Sequence, residues 1–109
     1  MGETLGGFEK LLLLAVLQLG ESAYGAAIFE ELERRTDRDT SPGAVYVTLR
    51  RLERKGMLRS KPGAPTPERG GRTKRVYSIQ PAGLAALRDA RREWDAMADG
   101  LDVLLAEES

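Results

Sequence analysis

The sequence predicts a mainly α-helical chain with one small β-hairpin. Three observations carry that expectation. Apolar residues recur at helical spacing in four separate stretches. The alternation of β-branched and aromatic residues expected of a strand is confined to a short run around Val76. Between that run and an earlier Met57-Leu58 segment lies a stretch so rich in Pro and Gly that no regular element can occupy it.

The first helix is read from Phe8, Leu11, Leu12, Ala15, Val16 and Leu19, with Gly20 as its stop. Leu13, Leu14 and Leu17 make its other side apolar as well, so this helix is expected to meet something beyond its own core. Ser22 is the expected cap of a second helix. There Tyr24, Ile28 and Leu32 form the buried stripe, while Glu30, Glu31, Glu33, Arg34 and Arg35 stay in water. After a polar connection, Ser41 caps a third helix and Pro42 fills its first position, where a missing N–H costs nothing. Val45, Leu49 and Leu52 share the inner face, Gly56 ends the helix, and Tyr46, Val47, Arg50, Arg51 and Arg54 lie outside. Met57–Lys61 and Lys74–Ile79 are the two strands, joined by the Pro/Gly-rich residues 62–73. Pro81 opens a last helix that the spacing carries to about Leu105.

That order of elements, with a capped basic helix ahead of a basic hairpin, is a winged helix-turn-helix followed by a C-terminal helix. In such folds the recognition helix enters the major groove and nearby cations hold phosphates. The chain divides accordingly into a DNA-binding unit over 1–80 and a dimerisation helix over 81–109.

Charge points the same way. The chain of 109 residues has no net charge, yet residues 50–75 hold ten bases against two acids, a net +8 balanced by −8 elsewhere. A field segregated so sharply suits a polyanionic partner, double-stranded DNA. On this reading the recognition helix offers Ser41, Gly43, Tyr46, Val47, Arg50, Arg51 and Arg54, and the wing offers Arg69, Arg72, Lys74 and Arg75.

Composition removes other classes. With no Cys and no His there is no disulfide, thiol nucleophile or imidazole ligand, and neither a metal nor a cofactor is expected. Catalysis would need a carboxylate pair or a Ser-Lys dyad, and nothing is spaced for either. Gly70-Gly71-Arg72-Thr73 lacks the Gly-Lys-Ser/Thr core of a phosphate loop. The longest apolar run, Leu11–Leu17, is far too short to cross a bilayer, and no basic segment precedes it, so a soluble cytoplasmic protein is expected. RNA is disfavoured by the lack of an aromatic row for stacking. A winged helix that binds only protein stays open as an alternative.

Several of these stretches together resemble the PadR family of bacterial transcriptional regulators. The resemblance runs from residue 8 to about 90. It is carried by Ala23-Tyr24-Gly25, Ser41-Pro42-Gly43-Ala44-Val45-Tyr46, Leu49-Arg50-Arg51-Leu52-Glu53-Arg54-Lys55-Gly56, and Gly70-Gly71-Arg72 leading into Lys74-Arg75-Val76-Tyr77-Ser78-Ile79. It implies a homodimeric DNA binder, usually a repressor, of the subtype with a short C-terminal region. Tyr46 and Arg50 then fall on the recognition helix, and Arg72, Lys74 and Arg75 on the wing. Gln80 stands where that family usually has Thr before the last helix, a poorer cap.

In the last helix Leu84, Leu87, Arg91, Trp94, Ala98, Leu101 and Leu105 alternate steps of three and four, the seam of a helix that packs on another. Together with Leu13 and Leu17 they are the expected dimer interface. Gly100 inside this seam is a candidate bend. Trp94 has two readings: an apolar anchor at the dimer centre, or a platform on which a small planar effector stacks.

Overall fold

Ser41 accepts a hydrogen bond from the Ala44 N–H at 3.1 Å, so the third helix starts where its cap and proline place it. The computed structural model describes residues 5–63 and 74–107. Its helices are α1 (Gly7–Leu19), α2 (Gly25–Arg35), α3 (Pro42–Arg54), α4 (Pro81–Ala98) and α5 (Asp102–Leu105). Its strands are β1 (Leu58–Pro62) and β2 (Arg75–Ile79). The strands pair antiparallel, with Leu58 opposite Ile79 and Pro62 opposite Arg75. The architecture is the expected one, mainly helical with one hairpin and a C-terminal helix.

The core gathers where α1, α2 and α3 cross beneath the hairpin. Leu12, Leu13, Ile28, Val45, Leu49 and Leu52 are wholly buried there, with Met57, Leu58 and Tyr77 closing it from the hairpin side. Helix α3 ends in a double closure. The Gly56 N–H donates to the Glu53 carbonyl and the Met57 N–H to the Leu52 carbonyl, both at 3.0 Å. Gly56 itself stands at φ 76°, a left-handed conformation suited to glycine. Because the Met57 N–H is taken by the closure of α3, β1 begins one residue later than its sequence suggests.

Four expectations need correction. Ser22 does not cap α2: Gly20–Ser22 form a 3₁₀ turn, the Ser22 carbonyl accepts from the Tyr24 N–H at 2.8 Å, and the helix starts at Gly25. Glu31, expected in water, is buried and holds both the Arg34 and Arg35 guanidinium groups. Leu13, expected on the outward side of α1, is buried in the chain's own core, and Leu14 is the residue that faces out beside Leu17. The last helix does not run to Leu105. It stops at Ala98, Gly100 takes φ 82°, and Asp102–Leu105 form a separate short turn. Reversal at Gly100 brings Leu101 and Leu105 back beside Trp94, where all three line one concavity.

Two buried carboxylates are held by ion pairs, Glu9 between α1 and the end of α3 and Glu31 within α2. Glu9 accepts from the Gly6 N–H at 2.9 Å at the head of α1 and meets Lys55 Nζ at 3.0 Å at the foot of α3. Burial alone would raise the Glu9 carboxyl. The Gly6 hydrogen bond and the Lys55 ammonium outweigh it and hold the group below its ordinary value. At Glu31 the hydrogen bonds from Arg34 and then Arg35 lower the carboxyl despite partial burial. No helix among the described residues is long and apolar enough to cross a membrane.

Candidate nucleic-acid interface

Helix α3 separates its two faces cleanly. Val45, Leu49 and Leu52 are fully buried, and Thr48 turns its hydroxyl back to the Ala44 carbonyl at 2.9 Å. That leaves Tyr46, Val47, Arg50, Arg51 and Arg54 exposed on the opposite side, with Ser41 and Gly43 exposed at its start. Val47 is 51% exposed although it is aliphatic, left open among the described residues. Tyr46 is exposed on one side and packed on the other. A Cβ on Gly25 would stand 2.5 Å from its ring, so the α2 backbone and the Tyr46 ring lie in direct contact only because residue 25 is glycine.

The hairpin sits beside this face. Its pleat puts Arg59 and Lys61 with Val76 and Ser78 on one side, and Leu58, Ser60 and Pro62 with Ile79, Tyr77 and Arg75 on the other. The second side meets α3. There the Ser60 hydroxyl donates to Glu53 Oε2 at 2.7 Å, and Arg75 Nε donates to Ser60 Oγ at 2.9 Å. Arg75 Nη2 also donates to the Ser60 carbonyl at 3.2 Å. Tyr77 lies beneath, buried; burial first, and then the Glu53 carboxylate, push its hydroxyl above the ordinary tyrosine value. Arg75 and then Arg50 oppose that shift.

The sequence-designated basic residues therefore divide. Arg50, Arg51, Arg54 and Lys74 are exposed. Arg75 is exposed but engaged with Ser60, and Lys55, counted in the basic stretch, faces Glu9. Arg69 and Arg72, with the rest of residues 64–73, lie outside the described residues. Ser60 and Glu53 were not singled out by sequence reasoning. Their only signal was an acid standing alone among bases and a serine on the inward parity of β1.

A second surface lies on the far side of α1. An open concavity of about 450 Å³ is lined by Leu14, Leu17, Leu84, Leu87, Arg91 and Trp94. Trp94 is 65% exposed, and beyond it Met97, Val103 and Leu104 are exposed more fully still. Ala98 is half-buried, while Leu101 and Leu105 are exposed.

This sequence matches the family model of the transcriptional regulator PadR-like family over residues 13–89. The chain belongs to the PadR-like family of transcriptional regulators. It is 43% identical over 75 residues to the transcriptional regulator Rv3488 of Mycobacterium tuberculosis, a match covering 69% of this chain and 65% of that protein. The chain thus spans less than two thirds of the length of that relative. Among solved structures it is similar to a PadR family transcriptional regulator from Eggerthella lenta, at 29% identity and TM-score 0.65, over 91% of this chain and 84% of that one. It is also similar to a PadR-like transcriptional regulator from Bacillus cereus, at 23% identity and TM-score 0.71, with 93% of each chain covered. That second likeness speaks for the fold. The PadR-like hairpin and C-terminal helix of this chain thus have counterparts in experimental structures.

Proposed function

We propose that this PadR-like regulator binds double-stranded DNA as a homodimer in the cytoplasm and represses from an inverted-repeat operator, without catalytic activity. Residues 1–80 supply the DNA-binding unit and residues 81–109 the dimer helix. The observation that carries the reading is the outer face of α3, where Tyr46, Val47, Arg50, Arg51 and Arg54 are exposed together, with Lys74 of the hairpin exposed as well. Arg50 reads base edges, and Arg51, Arg54 and Lys74 hold phosphates. Dimerisation is supported by the apolar residues left uncovered on α1, α4 and α5. The concavity beside Trp94 supports a small planar effector stacked on that ring between protomers.

Selection from random duplexes tests this. An enriched inverted repeat is expected, its half-sites centred roughly 34 Å apart, with affinity falling steeply as salt rises. Arg50→Ala relaxes preference at one base position, whereas Lys74→Ala weakens all sequences alike and lowers the salt slope by about one. Enrichment of no repeat, or identical behaviour of the two variants, overturns the assignment.

A further inference from the structure

We propose that Ser60, clasped between Glu53 of α3 and Arg75 of β2, is a strut that sets the angle of the hairpin against the recognition helix. On this account Arg75 is a positioning residue and not a phosphate contact. The proposal rests on the reading of the α3 and hairpin face as the DNA surface, and deepens it.

The geometry carries the argument. A serine hydroxyl has one proton and two lone pairs. Here the proton goes to Glu53 Oε2 at 2.7 Å and a lone pair takes the Arg75 Nε–H at 2.9 Å, so the hydroxyl rotor is fixed from both sides. Arg75 spends a second donor on the Ser60 carbonyl at 3.2 Å. Swinging its guanidinium out to a phosphate would break both bonds and leave Ser60 tied to α3 alone.

Glu53 is the stronger clue. On a surface meant for a polyanion a carboxylate works against binding, and residues 50–75 contain only one other acid. Half-buried and bonded to the hairpin, Glu53 has a use that offsets this cost. A two-stranded hairpin has little stability of its own and takes its orientation from what it leans on. Level with Ser60, the Tyr77 N–H on β2 reaches the Ala23 carbonyl, and at the hairpin's foot the Gln80 N–H reaches the Met57 carbonyl, both at 2.9 Å. The first bond ties β2 to the segment ahead of α2, and the second joins the hairpin's two ends. The Glu53–Ser60–Arg75 chain ties its middle to α3 itself, so the spacing between groove-reading and phosphate-holding groups is set within one protomer.

Two measurements on the full chain test this. Amide hydrogen exchange of the free protein should be several-fold faster across β1 and β2 in Ser60→Ala, and restored in Ser60→Thr, which keeps the hydroxyl. On the selected duplex, Ser60→Ala should bind about 3- to 10-fold more weakly, the worth of one or two hydrogen bonds. Its salt slope should equal the parent's, because no cation is lost. Arg75→Ala should share both behaviours, whereas Lys74→Ala lowers the slope by about one. Unchanged exchange in Ser60→Ala overturns the strut whatever the DNA result. A slope lowered by about one in Arg75→Ala, with Ser60→Ala like the parent, returns Arg75 to the phosphate contacts. If the parent binds no duplex, the DNA reading falls by itself, and hydrogen exchange still decides the strut.

Discussion

At residue 25 there is no room for a methyl group. The Tyr46 ring lies against the α2 backbone, with Cε1 at 2.5 Å and the hydroxyl at 2.8 Å from where a Cβ would be. The contact is what holds an aromatic ring at a defined place on an otherwise open helix face. In Gly25→Ala the ring must swing outward, which it can do because Tyr46 is 44% exposed. The stability loss is therefore expected to be small, about 1 kcal/mol, as read from the urea midpoint, and to shrink in a Tyr46→Ala background. The corresponding loss in DNA discrimination should be larger than the loss in stability, since it is the position of Tyr46 that changes.

At the scale of elements, Glu9 and Lys55 matter most, because they join the head of α1 to the foot of α3. The Glu9 carboxyl is held below its ordinary value of 4.5. A lowered folded-state value means the group contributes in full above the unfolded value, and the contribution is lost as pH falls through the folded one. Glu9→Gln should cost about 1–2 kcal/mol at neutral pH and should flatten the acid limb of the stability profile below about pH 4.5, measured by urea melts across pH. A limb as steep as the parent's would mean other carboxylates dominate. Helix α4 is seated by a different device. A Cβ on Gly83 would stand 2.6 Å from the Met57 carbonyl oxygen, so the first turn of α4 lies directly on the end of α3's closure. Backbone, which cannot swing aside, sets that approach.

At the scale of the whole molecule, the proposed dimer rests on the uncovered apolar residues. Leu14, Leu17, Trp94, Met97, Val103 and Leu104 range from 44% to 90% exposed and fall on the α1, α4 and α5 surface, away from the core. Large apolar side chains left open in such number mark a surface that another molecule covers. Leu87→Asp replaces an apolar side chain of the concavity between α1 and α4 with a charge that is costly to bury against a second protomer. Sedimentation should then report monomers, and DNA affinity should collapse because one half-site offers too few contacts. Far-UV circular dichroism should stay helical, since Leu87 lies outside the fully buried core. A Leu87→Asp protein that sedimented as a dimer would remove this surface from the interface.

The sequence by itself determined the parts whose causes are local. Ser41, Pro42 and Gly56 bound α3 to the residue because capping and left-handed closure are decided within a few positions. Alternation around Tyr77 was enough for β2, and the periodicity of Val45, Leu49 and Leu52 was enough to say which side of α3 faces out. The family, too, was legible, because its motifs are short and fall in a fixed order. Tertiary structure decided whatever depends on a partner distant in the chain. Periodicity could not choose between Leu13 and Leu14, since α1 is apolar nearly all round and only the placement of α2 and α3 selects the inner side. Glu31 reads as a surface acid until its own arginines fold over it. A heptad spacing through Gly100 continues on paper, yet glycine at φ 82° turns the chain back and no side chain resists it. Arg75 has the composition of a phosphate contact, and only the pairing that lays β2 beside β1 brings Ser60 within reach of its guanidinium. Spacing within one element is written in the sequence; which atoms of two elements meet is set when they pack.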